Sequence, residues 1–429
     1  MNAAEEPAHP PSLWAATAAP APPSTPLEGE ADADIAVIGG GYAGCSTALH
    51  LAERGAKVAL LEALEIGSGA AGRSMGQVNP HFRVLPSRID AAYGPELGRR
   101  MNATFAAGAD LVFNLIARHD IDCDAVRTGN IEANFSARGL AELRETNREQ
   151  RAMGAPHDWL DGKEIAALTG CARYKGGYLD RRAGGLQPLS YVRGLARAAQ
   201  AAGAALHTRS RVTSLAQEGD GWRLRTANGR LRARHVVVAT DSYSDSLMPE
   251  VRRALVPMWT NMAATEPLSS NLRQSVLMGG QALGDNALVS RHHRLDRDGR
   301  LLVVTIGAAG RHPLSPLRRW SEGAIRWAFP HLGPQRIAYR WEGVLGISHT
   351  HLPYLHEPHP TFHVVLGYSG RGITSGTVVG KHLAARILGA PREDFPLPVM
   401  PIHRAPLHGL HALYYRAGLY AGRLFCMVR

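Results

Sequence analysis

The sequence contains few cysteines and lacks a long hydrophobic run. Its four cysteines are scattered, with none in C-x-x-C spacing, so we expect neither a disulfide framework nor a metal site. No apolar run approaches the roughly 20 residues that cross a bilayer. The first residues also lack the basic start and apolar core of a signal peptide. These absences predict a protein of the reducing cytoplasm with no transmembrane segment.

Lysine is scarce as well, so nearly all of the positive charge comes from arginine. Lysine occurs at four positions, whereas lysine and arginine together number 48, and the formal net charge is +11. A net positive charge of this size is found in proteins that bind nucleic acid or acidic lipid. Here, however, the arginines are spread along the chain and form no run. We therefore expect no nucleic-acid partner, and we expect some arginines to lie near an anionic cofactor or substrate.

The segment 34–62 has the pattern of a dinucleotide-binding unit. A short apolar run predicts a strand, which is followed by Gly39, Gly41 and Gly44 in G-x-G-x-x-G spacing, a helical stretch and a second apolar run ending at Glu62. In such units the glycines permit a tight turn, close approach of a pyrophosphate and close helix packing, and the acid binds a ribose. The helix N-terminus attracts phosphates. The motif leaves open whether NAD or FAD binds, and a glycine-rich turn without a ligand is the alternative.

The length of 429 residues suggests two or three domains. Residues 1–30 are rich in Ala and Pro and predict an extended arm, with Trp14 as an anchor. The small-residue segment 66–78 predicts either a flexible surface loop or a backbone close to a flat ligand. A second strand–glycine-loop–helix pattern at 362–388 lies more than 300 residues after the first. If both patterns belong to one sheet, the nucleotide-binding domain is discontinuous and a second domain is inserted into it.

A series of short segments along the chain also resembles a known family. The segments, in order, are Ser12-Leu-Trp, Pro26-Leu-Glu-Gly, Gly67-Ser-Gly-Ala-Ala-Gly-Arg-Ser-Met-Gly-Gln-Val, Gly185-Leu-Gln-Pro-Leu-Ser-Tyr, Arg211-Val-Thr-Ser, His235-Val-Val-Val-Ala-Thr, Trp341-Glu-Gly-Val, Thr350-His-Leu-Pro and the glycine loop 367–372. Together with the first motif, they resemble the FAD-dependent amino-acid and amine oxidases of the D-amino-acid oxidase superfamily. Within it, the chain most resembles the gamma-glutamylputrescine oxidoreductases. The resemblance covers nearly the whole chain.

This resemblance implies an α/β fold. A discontinuous, Rossmann-like FAD-binding domain of the glutathione-reductase type would be interleaved with an α+β substrate domain built on an antiparallel sheet. The expected divisions are an arm at 1–30, FAD-binding segments at 31–90, 180–250 and 340–390, substrate segments at 91–179 and 251–339, and a C-terminal extension at 391–429. FAD would be held non-covalently, because Cys45 is expected to pack within the first helix and Cys426 lies far from any flavin motif.

The resemblance also assigns residues to the FAD. The glycine turn would hold the pyrophosphate, Glu62 the ribose, Val212 the adenine, the 73–75 segment the flavin or ribityl chain, and the 370–374 segment the pyrimidine edge. The implied FAD-binding residues are Gly39, Gly40, Gly41, Tyr42, Ala43, Gly44, Glu62, Arg73, Ser74, Met75, Val212, Gly370, Arg371, Gly372, Ile373 and Thr374. A glycine loop that opens a helix points N–H groups and a dipole toward the negative charge of reduced flavin. Arg371 adds a full charge there, or else is a solvated loop residue.

The implied activity is oxidation of a C–N bond in an amine or amino-acid derivative, such as a gamma-glutamylputrescine-like compound. Hydride passes to flavin N5 and the imine hydrolyses. Oxygen or another electron acceptor would take the electrons. Related sarcosine oxidases use a lysine over the flavin to activate oxygen, and no lysine here stands at a matching place, so oxidase and dehydrogenase activity both stay open. The lysines are Lys57, Lys163, Lys175 and Lys381. The alternatives are a non-catalytic flavin-binding subunit of a larger complex and an NAD-dependent dehydrogenase.

Three residues are candidates for substrate contact, and no catalytic residue is assigned. Arg371 is one of them. Trp341 is either a substrate contact or a core residue. His351 stands where the family often has Asp, so it either changes substrate preference or is a neutral loop substitution. Ser74 and Met75 replace the family's Asn-Gly, and the methionine would narrow the pocket.

The segment 407–429 is amphipathic and basic. It would lie on a membrane surface or on a partner, but packing on its own chain is the favoured alternative.

Overall fold

The computed structural model describes residues 8–287, 290–306 and 317–403. Cys426 and the segment 407–429 lie outside this range. The described helices are α1 Leu13–Thr17, α2 Tyr42–Ala52, α3 Pro86–Tyr93, α4 Pro95–Ala106, α5 Gly108–Arg118, α6 Ala137–Ala152, α7 Gly162–Thr169, α8 Pro188–Ala201, α9 Pro249–Ala254, α10 Ser270–Arg273, α11 Leu317–Ala328 and α12 Gly372–Ile387. None of these helices is long and apolar enough to cross a bilayer.

The described strands divide between two large sheets and one small one. In chain order they are β1 Gly29–Ile38, β2 Val58–Leu61, β3 Gln77–Val78, β4 Asn130–Asn134, β5 His157–Asp161, β6 Gly176–Asp180, β7 Gly184–Gly185, β8 Ala205–His207, β9 Ser214–Glu218, β10 Gly221–Arg225, β11 Gly229–Val238, β12 Val256–Pro267, β13 Ala282–Asp285, β14 Arg291–Leu295, β15 Arg300–Ile306, β16 Ile337–Ile347, β17 Tyr354–His359 and β18 Phe362–Leu366.

The first sheet has a parallel centre, because helices connect its strands and cover it. Its order is β17-β18-β11-β1-β2-β8, with β10 paired to β11 and β9 paired to β10. The strands β18, β11, β1, β2 and β8 run parallel to one another, whereas β17 and β10 pair with them antiparallel. All four residues of β2 are buried, as expected for a strand covered on both faces. Both glycine-loop units contribute to this sheet, which confirms the predicted discontinuous α/β architecture.

The second sheet is mainly antiparallel and has the order β16-β12-β15-β14-β13-β4-β6-β5. Among the described strands of this sheet, only the pair β13–β4 is parallel. The strand β16 pairs with β12 along its whole length, from Ile337 to Ile347. Residues 340–347 therefore belong to the second sheet, and the predicted boundary at 340 is too early. The long pairing with β12 keeps β16 in the second sheet, so the chain returns to the first sheet only at β17.

The helices α2 and α12 pack closely at two glycines of α12. A Cβ placed on Gly376 would lie 3.1 Å from Cβ of Tyr42, and one on Gly380 would lie 2.5 Å from Cβ of Ser46. The Ser46 hydroxyl donates a hydrogen bond to the carbonyl oxygen of Thr377 at 2.8 Å. Glycine is required at this spacing because larger side chains would separate the helices. Two helices that are distant in sequence thus lie side by side.

The N-terminal arm runs along α8 and is tied to it by side chains. Arg193 donates to the carbonyl oxygen of Ala19 at 2.8 Å, and Arg197 donates to that of Pro20 at 2.7 Å. The arm is not extended throughout, because Ser12 caps the short helix α1 and accepts a hydrogen bond from the backbone N–H of Ala15. Within α1, Trp14 is 1% exposed, in keeping with the anchor predicted from the sequence.

Glu357 links the edge of the first sheet to α12. Its carboxylate accepts hydrogen bonds from Nε and Nη2 of Arg386 at 2.7 and 2.6 Å and from Nδ1 of His363 at 2.9 Å. Burial alone raises the pKa of Glu357, but the hydrogen bonds from His363 and Arg386 outweigh it and lower the pKa to about 2. The ionised carboxylate therefore stabilises the native position of α12.

We expect Glu357→Gln to destabilise the protein by about 1 kcal/mol at pH 7, a value reduced by solvent screening. The native pKa is lower than the unfolded one, so this contribution is present above about pH 4.5 and is lost as the pH falls toward 2. Urea unfolding at pH 7 and pH 3 measures it. The control is Glu145→Gln, which removes an exposed partner of Arg148. An equal deficit for Glu357→Gln at both pH values would contradict the assignment.

Candidate cofactor and substrate site

A cavity of about 750 Å³ is lined by residues of both large sheets and by the starts of α2 and α12. This volume is in the range of roughly 300–1,000 Å³ found for ligand and cofactor sites. The structure brings most of the predicted site residues to its lining. Those at the lining are Gly39, Gly40, Gly41, Tyr42, Ala43, Glu62, Arg73, Ser74, Met75, Val212, His351, Gly370, Arg371, Gly372 and Ile373.

The first glycine turn leaves the start of α2 open to the cavity. Gly39 has a φ of +111°, and a Cβ there would lie 2.9 Å from the carbonyl oxygen of Ala239, so both the turn and the close approach require glycine. A Cβ on Gly41 would meet no protein atom within 4 Å. Gly41 is also the N-cap of α2, and no side chain of the described residues caps that helix. The free N–H groups of the helix therefore face an accessible space suited to a pyrophosphate.

Glu62 directly follows β2 beside the same turn and is partly buried at the lining of the cavity. Its carboxylate accepts hydrogen bonds from the backbone N–H of Gly40 at 2.7 Å and from that of Leu64 at 3.0 Å. Burial raises the pKa of Glu62, although these backbone hydrogen bonds oppose the shift. An acid at this point of a dinucleotide-binding unit accepts hydrogen bonds from a ribose diol.

The second glycine loop opens α12 toward the cavity in a similar way. Gly370 has a φ of +87°, and a Cβ on Gly372 would meet no atom within 4 Å. Arg371 is the N-cap of α12 and provides no side-chain cap. Its guanidinium is buried and lies 3.8 Å from the carboxylate of Glu132 in β4. Arg371 is therefore not a solvated loop residue. Burial lowers its pKa to about 10, so it carries a positive charge at neutral pH.

The segment 73–75 lies along the cavity as an ordered backbone rather than a flexible surface loop. Nε of Arg73 donates to the carbonyl oxygen of Ser68 at 3.0 Å, and Met75 is 7% exposed. In the described part of the chain, the backbone N–H groups of Ser74 and Met75 donate to no protein acceptor. Because both residues line the cavity, these two unpaired donors fit a bound ligand.

Three predicted site residues do not line the cavity. A Cβ on Gly44 would lie 1.9 Å from the carbonyl oxygen of Gly39, so this glycine allows the helix to pack against the turn. Trp341 is 4% exposed and donates a hydrogen bond to the carbonyl oxygen of Arg73, which favours the core alternative over a substrate contact. Thr374 faces α5, where a Cβ on Gly108 would lie 2.5 Å from its methyl group.

Comparison with known proteins identifies the family. The model of the FAD-dependent oxidoreductases named DAO matches residues 34–386. The chain belongs to this family. It is 31% identical to gamma-glutamylputrescine oxidoreductase of Escherichia coli (strain K12), over 95% of this chain and 97% of that protein. The family's cofactor is FAD, which decides against NAD, and its members are enzymes that act on C–N bonds.

Solved structures share the fold of this DAO-family chain. Glycine oxidase from Geobacillus kaustophilus superposes with a TM-score of 0.70 at 22% identity and covers 83% of this chain and 95% of its own. L-proline dehydrogenase from P. horikoshii superposes with a TM-score of 0.71 at 18% identity, with coverage of 86% and 95%. Two open helix N-termini, an acid at the end of β2 and two unpaired backbone donors together fit FAD. None of the cysteines in the described residues lines the cavity.

Sequence reasoning missed two residues on the side of the cavity formed by the second sheet. Arg83 is exposed, lines the cavity and forms no ion pair within the described residues. His292 of β14 also lines the cavity, and its Nδ1 is buried without a hydrogen-bond partner there. Burial, together with the charges of Arg83 and Arg371, lowers the pKa of His292 to about 3, so its imidazole is neutral at neutral pH. No local motif marks either residue.

The carboxylates that line the cavity already have partners. Besides Glu62, they are Asp241 and Asp245. Asp241 accepts a hydrogen bond from the backbone N–H of Gly367 at 2.8 Å. Asp245 forms an ion pair with Arg211 at 2.6 Å. The four lysines all belong to the described residues, and none of them lines the cavity. The cavity therefore offers positive charge to a ligand from arginine, not from lysine.

One group in the described residues has the composition of a metal site, namely His81, His157 and Asp180. Nε2 of His157 lies 2.9 Å from Oδ2 of Asp180, but Nη2 of Arg182 lies 2.8 Å from the same oxygen and 3.3 Å from the same His157 nitrogen. Burial raises the pKa of Asp180, but the hydrogen bonds from His157 and Arg182 hold it well below its usual range. The guanidinium thus occupies the place between the ligand atoms, which favours an ion pair over a metal.

Proposed function

We propose that this FAD-dependent enzyme oxidises the C–N bond of an amine whose molecule also carries a carboxylate. The observation that supports the proposal is the charge on the substrate side of the cavity. Arg83 has no carboxylate partner among the described residues, while the three lining carboxylates are engaged elsewhere. A cavity whose lining offers an arginine without a carboxylate partner among the described residues favours an anionic ligand. An amino acid or a gamma-glutamyl amine has both of the required groups.

Gamma-glutamylputrescine is the more specific candidate. It combines a carboxylate with a primary amine, and the relative that is 31% identical bears its name. His351 lines the cavity and is exposed, at the position where the family often has Asp. A histidine there provides no anion for a terminal ammonium group, which favours substrates whose amine enters the cavity in its neutral form.

The residues on the substrate side would position such a molecule. Bound FAD supplies the chemistry by accepting a hydride at flavin N5, which turns the amine into an imine that water hydrolyses. Arg83 would hold the carboxylate through charge-assisted hydrogen bonds. The neutral imidazole of His292 would exchange a hydrogen bond with the amine. The positive charges of Arg83 and Arg371 would favour loss of a proton from the bound ammonium group.

A comparison of paired amines tests this proposal. Under anaerobic conditions the holoenzyme is mixed with gamma-glutamylputrescine or putrescine, and with glycine or methylamine, while flavin absorbance is followed. In each pair, we expect the compound that carries a carboxylate to reduce the flavin at a concentration at least about tenfold lower than its partner. Dithionite serves as the control for a reducible flavin. Equal or better reduction by putrescine and methylamine would contradict the proposed role of the carboxylate.

A further inference from the structure

Two tryptophans lie behind the segment 73–75, on the side away from the cavity. Nε1 of Trp14 donates to the carbonyl oxygen of Ser74 at 2.8 Å, and Nε1 of Trp341 donates to that of Arg73 at 3.1 Å. Their ring centroids are 5.7 Å apart in an edge-to-face arrangement. One indole comes from the N-terminal arm and the other from β16, so distant parts of the chain bind two successive carbonyl groups.

These hydrogen bonds fix the direction of two N–H groups. In a planar trans peptide, the carbonyl of one residue and the N–H of the next point in opposite directions. Holding the carbonyl groups of Arg73 and Ser74 at the rear therefore turns the N–H groups of Ser74 and Met75 away from the tryptophans. Both residues line the cavity, and both N–H groups lack an acceptor within the described residues. The donors are thus aimed at the space for the cofactor.

The surroundings of Trp14 hold its ring firmly. The guanidinium of Arg294 lies 5.1 Å from the ring centroid and donates to the carbonyl oxygen of Leu186 at 2.8 Å. Nε2 of Gln187 donates to the carbonyl oxygen of Trp14 at 3.0 Å, and Oε1 of Gln187 accepts from the N–H of Ser190. Gln187 thereby joins the arm to the start of α8.

We propose that Trp14 and Trp341 form an indole clamp that positions the N–H groups of Ser74 and Met75 for the flavin part of FAD. The N-terminal arm is then part of the cofactor site, although it does not line the cavity. The two indoles are positioning residues, because they act on FAD through the backbone of the segment 73–75.

The test compares Trp-to-Phe variants, which keep an aromatic ring but remove the N–H donor. We expect Trp14→Phe and Trp341→Phe each to weaken FAD binding to the apoprotein about fivefold, the effect of one lost hydrogen bond. The shape of the bound-flavin absorbance bands should also change. The matched control is Trp222→Phe, because Nε1 of Trp222 donates to Thr361 at 2.9 Å on the first sheet and this residue does not line the cavity. Its FAD affinity and spectrum should match those of the wild type.

The apoprotein melting temperature separates positioning from a general loss of stability. The proposal requires that Trp14→Phe and Trp341→Phe bind FAD more weakly than Trp222→Phe does, even when all three apoproteins have similar melting temperatures. Unchanged FAD affinity and spectra in both variants would overturn it, and so would an affinity loss that merely follows apoprotein stability. Hydrogen–deuterium exchange on the wild-type protein gives a second test that needs no variant. The amides of Ser74 and Met75 should gain protection when FAD binds, and the absence of such protection would also overturn the clamp.

Discussion

Arg83→Met is expected to raise the half-saturating concentration of a carboxylate-bearing amine by about tenfold or more. A hydrogen bond between charged groups contributes about 1.5–3 kcal/mol, and 1.4 kcal/mol corresponds to a factor of ten in binding. Methionine keeps much of the side-chain length but removes the guanidinium. The lower part of the range applies because Arg83 is exposed. Anaerobic titration of the flavin with gamma-glutamylputrescine or glycine measures the change.

Arg88→Met provides the matched control. Arg88 lies five residues further on in α3, is also exposed and forms no ion pair within the described residues, but it does not line the cavity. Its replacement should leave the half-saturating concentration unchanged. Methylamine lacks a carboxylate, so its half-saturating concentration should rise much less in the Arg83 variant than that of the carboxylate-bearing amines. A tenfold loss with methylamine as well would show that Arg83 acts on the general shape of the site instead.

Gly44→Ala and Gly41→Ala are expected to have opposite effects: the first should lower apoprotein stability and the second should lower FAD affinity. At Gly44 the new Cβ would lie 1.9 Å from a backbone oxygen, so the turn or α2 must move. We expect the apoprotein to lose about 3 kcal/mol of stability, at the upper end of overpacking effects. At Gly41 the Cβ would meet no protein atom. There the apoprotein should keep its stability, while FAD affinity falls by about tenfold or more because the methyl group occupies the space for the pyrophosphate.

Urea unfolding of the apoproteins and FAD titration separate these two effects. The informative comparison is the ratio of stability loss to affinity loss within each variant. Gly323→Ala is a suitable control, because a Cβ there would also meet no atom within 4 Å and the residue does not line the cavity. If Gly41→Ala bound FAD as tightly as this control, the placement of the pyrophosphate at the turn would be wrong.

The parts of the fold that the sequence predicted are those encoded by local patterns. The first glycine unit is marked by an apolar run, its glycine spacing and Glu62, and the second loop is marked by an apolar run and its own glycines. Residues of both units line one cavity. Where long-range pairing decides the structure, prediction was poorer. Residues 340–347 belong to the second sheet because β16 pairs with β12. The same pairing places Trp341 behind the segment 73–75. A short apolar run does not encode its partner strand.

The substrate side was largely hidden from the sequence for a related reason. Arg83 and His292 belong to different segments, with no common spacing, and they meet only because the second sheet folds over the cavity. Arginine and histidine are frequent in this chain, so neither stands out by composition. The resemblance did predict Arg371, but its burial against Glu132 depends on β4, which is distant in the sequence.

The pairing of α2 with α12 has a consequence for biosynthesis. All residues of α2 are buried in the native protein, and part of that cover is α12, which begins 330 residues later in the chain. At a translation rate of about 5–20 residues per second, roughly 15–65 seconds separate the appearance of the two helices. During that interval the nascent chain exposes an apolar helix and only half of the FAD site. A cavity whose lining includes the start of α12 is therefore complete only late in synthesis.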